Sequence, residues 1–170
     1  MQVRILAFDA QSPHFEAAVA VYSEYAPGHV DFHRHFFVEH TQRPQFMGLI
    51  AEVESQIVGV SFGSRCVPGQ WWYDNVAAQV GTAHPALQNA FELTQLNVLA
   101  AYRNAGIGGL LHDTLLARQA NPQALLSTQV ANRGAQRFYK GRGWQILHPG
   151  FAFSKHDEPY AILHKVLRKC

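Results

Sequence analysis

Cysteine is scarce in this chain, which has only Cys66 and Cys170. Two such residues make neither a disulfide framework nor a zinc-binding pattern, so a reducing, cytoplasmic setting is expected. No run of about 18 apolar residues exists, which excludes a predicted membrane span. The start, Met1-Gln2-Val3-Arg4, alternates like a strand where a secretory leader would carry an apolar core. Charge is sparse as well: 15% of residues are charged, and the net charge is +2 with histidines neutral. Apart from Arg168-Lys169 the basic residues are scattered, so no stripe suited to a phosphate backbone forms and no nucleic-acid partner is expected. Low-complexity tails, internal repeats and linkers are also missing. With 170 residues, one domain over 1–170 is the expectation.

The chain is instead rich in apolar residues, at 48%, with 12% aromatics, a balance that argues for a compact core and against extended disorder. Val3 to Phe8 reads as a strand, and Ser12-Pro13 as the N-cap and first-turn proline of a helix running toward Tyr25. Pro27-Gly28 ends it. A second helix is expected from Val30 to Thr41, with Phe32, Phe36 and Phe37 at helical spacing and assigned to the core. Met47 to Val53 and Ile57 to Gly63 read as a hairpin joined through Glu54-Ser55-Gln56. Farther on, Phe91 to Leu99 is a strand, and Gly106 to Arg118 a helix with Ile107, Leu110, Leu111 and Leu115 facing inward. Leu125 to Val130 is again a strand, followed by a helix from Asn132 to Lys140 and two closing strands, Trp144 to Phe153 and Tyr160 to Leu167.

Residues Val67 to Asn89 resist this treatment. They hold Pro68-Gly69, the run Trp71-Trp72-Tyr73, room for a short helix to Val80, then Gly81 and Pro85. A connection of that length within a compact domain is functional or hides structure of its own.

The densest signal lies at Leu96 to Gly109, where an apolar strand meets Arg103, Gly106, Gly108 and Gly109 and then an amphipathic helix. The first amides of a helix lack intrahelical partners, and glycine lets that backbone approach an anion closely. Two nucleotide motifs are excluded. The Walker loop ends in Gly-Lys-Ser/Thr where this chain has Gly108-Gly109-Leu110, and the Rossmann fingerprint needs a glycine where Arg103 stands.

A second motif follows downstream: Asn132, Arg133, Gly134, Ala135, Gln136, Arg137, Phe138, Tyr139, then Gly143-Trp144. Taken with Arg103-Asn104-Ala105-Gly106-Ile107-Gly108, and with the order of elements, it resembles the GNAT superfamily of N-acetyltransferases over nearly the whole chain. The first motif is similar to that family's Arg/Gln-x-x-Gly-x-Gly/Ala, the second to its Asn-x-x-Ala-x-x-Phe-Tyr. A proline often found after the preceding strand is replaced here by Ala100 or Ala101. The resemblance implies an α/β (α+β) fold, with a single mixed, mostly antiparallel sheet flanked by helices. It also implies acetyl-CoA as co-substrate and an amine as acceptor.

By the same resemblance, the backbone of Arg103, Asn104, Ala105, Gly106, Ile107, Gly108 and Gly109 binds the CoA pyrophosphate. The main chain of Leu96, Asn97 and Val98 pairs with the pantetheine arm as an added strand would. Asn132 either contacts the cofactor arm or caps its helix. Tyr139 matches the family tyrosine that protonates the departing thiolate, a role that suits a phenol within hydrogen-bond reach. Glu92, eleven residues before Arg103, matches the glutamate of the histone acetyltransferase branch. A partly desolvated carboxylate there can take a proton from an ammonium, although a surface or sheet-edge carboxylate is the alternative.

Acceptor binding falls by expectation to Trp71, Trp72, Asp74 and Asp31: the tryptophans either wall an aromatic slot or cap the core, and the aspartates attract a cationic amine. His29 and His33 stand four apart, but no third ligand is placed by spacing, so a solvated helix face is expected and no metal. The function expected is N-acetylation of a small-molecule amine through a ternary complex. Its alternatives are a protein-lysine or peptide acetyltransferase and a silent acyl-CoA-binding sensor. A homodimer paired through the terminal strands is a further possibility.

Overall fold

The computed structural model describes residues 2–167. In chain order, the first elements are β1 (Arg4–Phe8), α1 (Phe15–Ser23), α2 (Val30–Thr41), β2 (Met47–Val53), β3 (Gln56–Arg65) and α3 (Trp71–Val80). They are followed by β4 (Ala90–Val98), α4 (Ile107–Ala117), β5 (Gln123–Gln129), α5 (Arg133–Gly141), β6 (Gln145–Phe151) and β7 (Tyr160–Val166). Short 3-10 turns occupy Pro85–Leu87 and Ala100–Tyr102. All seven strands belong to one mixed sheet, ordered β1-β2-β3-β4-β5-β7-β6. β4 and β5 pair in parallel, while β1 with β2, β2 with β3, and β7 with both β5 and β6 are antiparallel. This is the mixed, mostly antiparallel sheet with flanking helices that the sequence led us to expect.

The chain divides into two compact units. One comprises the segment through Ser64 together with Leu93–Gln119; the other comprises Arg65–Glu92 together with the segment from Ala120 onward.

The first unit is held by an aromatic core. Phe8, Phe15, Phe37 and Phe62 are buried among Val19, Val21, Ile50 and Val60. The Phe37 and Phe62 rings meet edge to face at 4.8 Å, a geometry that adds to the burial of apolar area. Gly48 is required here: it stands opposite Phe8 in the β1–β2 register, and a Cβ on it would come within 2.5 Å of the Phe8 ring. α1 begins at Phe15 rather than at Pro13, because Ser12 spends its hydroxyl on the His14 amide in a preceding turn. In α4, Ile107, Leu111 and Leu115 face inward as the period demands, but Leu110 is 42% exposed and leaves the expected face.

Two expectations for α2 are corrected. Phe37 is core and Phe36 is half-buried, but Phe32 is 66% exposed. His33 is buried instead of solvated. Its Nε2–H donates to the Pro27 carbonyl at 3.0 Å, and its Nδ1 lies 2.8 Å from Ser23 Oγ, so this side chain ties the α1–α2 turn together. Period alone could not tell the two, because the face a helix buries depends on what covers it.

The second unit resolves the stretch that resisted sequence analysis. Val67 to Asn89 is structured around α3, whose Trp72, Tyr73, Val76 and Ala77 pack with Leu87, Ala90, Leu125 and Ile162 in one core. Gln123 Nε2 donates to the carbonyls of Pro85 and Gln88, both at 2.6 Å, and holds the 3-10 turn that leads into β4. No helix among the described residues is long and apolar enough to cross a membrane.

Candidate active site

In the first unit, β4 gives way to a turn that delivers helix α4. The Leu99 amide donates to the Val58 carbonyl at 2.9 Å, after which the chain makes its 3-10 turn and passes through positive φ at Asn104 (61°) and Gly106 (82°). Gly106 is the N-cap of α4, and the helix's first internal bond runs from the Leu110 amide to the Gly106 carbonyl. The amides of Ile107, Gly108 and Gly109 therefore precede the hydrogen-bonded ladder and point out of the helix start. A Cβ on Gly106 would meet nothing within 4 Å, so the N-cap position itself is open on that side. Such a helix start suits an anionic group.

The turn is anchored from outside. Arg103 donates from Nε to the Val98 carbonyl at 3.1 Å, and its guanidinium lies over the Tyr25 ring. Tyr102 donates its hydroxyl to Gln56 Oε1 at 3.1 Å. Neither Tyr25 nor Gln56 carries a sequence signal for this role, since each is far from the loop in the chain.

Along β4, Leu96, Asn97 and Val98 are half-buried. Thr94 Oγ1 and Asn97 Oδ1 are buried polar atoms without a hydrogen-bond partner. Native proteins leave few such atoms, and an amide-bearing ligand would satisfy acceptors of this kind. Three apart on β4, the two side chains leave the strand on opposite faces. Thr94 was not among the residues singled out from the sequence.

Glu92 and Tyr139 lie in the second unit. Glu92 is 4% exposed and stands opposite Leu125 of β5 in the parallel register, next to the Phe91–Ala124 pair. Tyr139 is buried on α5, with its ring edge-on to Trp144 at 5.8 Å. Burial pushes its phenol pKa well above the ordinary tyrosine value, so the group keeps its proton. Asn132, exposed at the helix start, accepts from the Ala135 amide at 3.0 Å through Oδ1, the geometry of the capping alternative.

The four expected acceptor residues separate. Trp72 is buried and donates from Nε1 to Ser127 Oγ at 3.0 Å, while Asp74 Oδ1 accepts from the Gly69 amide at 3.0 Å and closes the turn before α3. Asp31, in the other unit, accepts from Arg34 at 2.7 Å and lies 3.3 Å from His29. Trp71 is 59% exposed, with its ring 5.2 Å from that of Phe153. Among the described residues no group of three His, Cys, Asp or Glu side chains is disposed to hold a metal ion.

Comparison with known proteins extends these observations. Residues 13–144 match the sequence model of the Acetyltransferase (GNAT) family. A GCN5-like protein acetyltransferase of Mycobacterium tuberculosis is 32% identical over an alignment of 121 positions, which covers 65% of this chain and 59% of that relative's length. Among solved structures, an N-acetyltransferase from Staphylococcus aureus superposes with a TM-score of 0.71 at 16% identity, covering 99% of this chain and 100% of that one. The NatC complex bound to Gag peptide and CoA gives the same TM-score, 0.71, at 16% identity, with 99% and 100% coverage. At such identities the structural likeness is one of fold.

Proposed function

This chain belongs to the acetyltransferase (GNAT) family, and on that premise we propose that it moves acetyl from acetyl-CoA to the primary amine of a small molecule, by direct transfer in a ternary complex. The observation that carries the proposal is the helix start at Gly106, whose first amides have no intrahelical partners, in a turn pinned by Arg103 and Tyr102.

In this proposal the amides of Ile107, Gly108 and Gly109 hold the pyrophosphate, and the main chain of Leu96, Asn97 and Val98 pairs with the pantetheine arm as an added strand would. Asn104 and Ala105 shape the turn, and Asn132 fixes the start of the helix that carries Tyr139. Glu92 takes a proton from the acceptor ammonium, which frees the nitrogen lone pair to attack the thioester carbonyl. As the carbon–sulfur bond breaks, Tyr139 gives its proton to the thiolate, and the second proton shed by the attacking nitrogen as it becomes an amide restores the phenol. A buried phenol suits that last step, because it is protonated at any working pH and can donate where negative charge develops.

A second reading is acetylation of a protein lysine. It is favoured by the Mycobacterium tuberculosis relative, which is named as a protein acetyltransferase. The experiment is CoA thiol release measured over a panel of small primary amines and lysine peptides. Turnover with small amines at kcat/KM above that of the peptides supports the proposal. Turnover with peptides alone transfers it to the second reading, and tight CoA binding without turnover on any amine makes the chain a sensor.

A further inference from the structure

Helix α5 is held at its ends, because it buries little along its length. Tyr139 alone of its residues is buried. Asn132 caps the start. The end closes in a left-handed turn: Gly143, at φ 79°, donates its amide to the Lys140 carbonyl at 3.0 Å, and the Trp144 amide donates to the Tyr139 carbonyl at 3.2 Å. These are the two bonds of a Schellman turn, in which the residue after the glycine commonly packs on the one whose carbonyl it caps. Here that pair is Trp144 and Tyr139, both buried, with their rings edge-on at 5.8 Å. The turn that ends the helix therefore also sets the direction of the Tyr139 ring.

The sheet grips this turn through one side chain. Lys165, on β7 opposite Ala124 of β5, is half-buried, and its Nζ donates to the carbonyl of Arg142, the C-cap of α5. A Cβ on Gly143 would stand 3.2 Å from that Nζ, so the ammonium lies directly against the turn. The last carbonyls of a helix lack intrahelical partners and form its negative end, and a cationic donor satisfies both. Beside it, the Arg142 guanidinium lies 4.1 Å above the ring of Phe138, the residue before Tyr139. Lys165 and Arg142 are 23 residues apart, so no local pattern marks the contact.

We propose that Lys165 is a positioning residue for acetyl transfer: by holding the Arg142 carbonyl it locks the turn after α5 and fixes where the Tyr139 hydroxyl points. The consequence for catalysis rests on the acetyl-transfer proposal, in which Tyr139 protonates the thiolate; the lock on the turn does not. Proton transfer needs donor and acceptor within hydrogen-bond reach, so a small rotation of the ring lowers the rate without loosening the co-substrate.

Two measurements on the full chain test this. The first needs no ligand: amide hydrogen exchange at Gly143 and Trp144, followed by NMR. Lys165→Met keeps the apolar stem and removes the donor. It is expected to speed exchange at both amides about tenfold, with the β5 amides unchanged as the sign of an intact fold. Lys165→Arg, which keeps a cation and its donors, restores most of the protection. Unchanged exchange in Lys165→Met overturns the inference.

The second is thiol release from acetyl-CoA with the fastest acceptor of the amine and peptide panel. Lys165→Met is expected to lower kcat about tenfold and to leave KM for acetyl-CoA within about twofold, with Lys165→Arg recovering most of the rate. In a Tyr139→Phe background the same substitution should cost nothing further, since a residue that acts only through the phenol has nothing left to position. Losses that multiply across the two sites, or a wild-type kcat in Lys165→Met, overturn the positioning role. Wild-type kcat in Tyr139→Phe, or no turnover on any acceptor, instead removes the acetyl-transfer role of Tyr139; amide protection that depends on Lys165 then stands as a structural lock alone.

Discussion

The guanidinium of Arg103 lies 4.4 Å above the centre of the Tyr25 ring while its Nε donates to the Val98 carbonyl. One side chain thus links the glycine turn, the end of β4 and the segment just after α1. A cation over an exposed ring and a charge-assisted hydrogen bond each contribute about 1 kcal/mol. Arg103→Ala is therefore expected to weaken CoA binding about fivefold to tenfold by calorimetry. Arg103→Lys, which keeps the charge but not the planar fork, should recover only part of the loss. An unchanged dissociation constant in Arg103→Ala would show that the turn needs no anchor.

Gly106 offers a test in which sterics and strain are separate. A Cβ there meets open space, so Gly106→Ala suffers only from a φ of 82°. The left-handed region costs an alanine about 1 kcal/mol, or about 2–4 °C in Tm for a chain of this size. Gly106→Asn should lose less, because asparagine tolerates that region. Thermal unfolding that ranks the two variants equally would count against a strained turn.

Tyr139→Phe keeps the ring packed against Trp144 and removes only the hydroxyl. The expected outcome is a fall in kcat of about a hundredfold, with KM for acetyl-CoA changed little. A variant with wild-type kcat would leave Tyr139 a packing residue.

For Glu92, the pH profile is more telling than the rate. If its carboxylate takes the proton, kcat/KM rises with pH as that group ionises, and Glu92→Gln flattens the rise. The same slope in both proteins would assign deprotonation to water or to another residue.

Stability should also depend on pH through His40. Burial pushes its pKa down to about 4, and the neutral ring keeps its Nδ1 proton, which it donates to the Phe36 carbonyl at 2.8 Å. Between about pH 6.5 and 4 the unfolded chain binds the proton and the folded one does not, so stability present above pH 6.5 is lost as pH falls. The loss is at most about 3 kcal/mol. His164, also lowered by burial and by His84, acts in the same direction. Denaturant midpoints measured over this range should fall with acid, and His40→Gln should flatten the curve.

Much of this architecture is legible along the chain because its signals are local. A positive-φ glycine at a helix start, an asparagine that caps its own helix and a short continuous apolar run each act within a few residues. Gly106, Asn132 and β2 therefore behave as their neighbours in sequence dictate. The stretch 67–89 was opaque because α3 has few such signals: its N-cap, Gln70, makes no side-chain capping bond, and its stability comes from packing on β5 and β7. Phe32 and His33 show the same gap. Adjacent residues on one helix, the aromatic is exposed and the imidazole buried, since Ser23 and Pro27 supply the partners that a buried histidine needs.

Trp71 and Trp72 mark the boundary most sharply. The chain itself dictates that two tryptophans stand at the head of a short helix, because both belong to one contiguous run. Which of them is core and which faces solvent depends on Ser127, 55 residues away, whose hydroxyl receives the Trp72 indole N–H. A hydrogen bond between residues so distant in sequence exists only after the sheet has formed, and that is why tertiary structure alone could assign Trp71 to the surface.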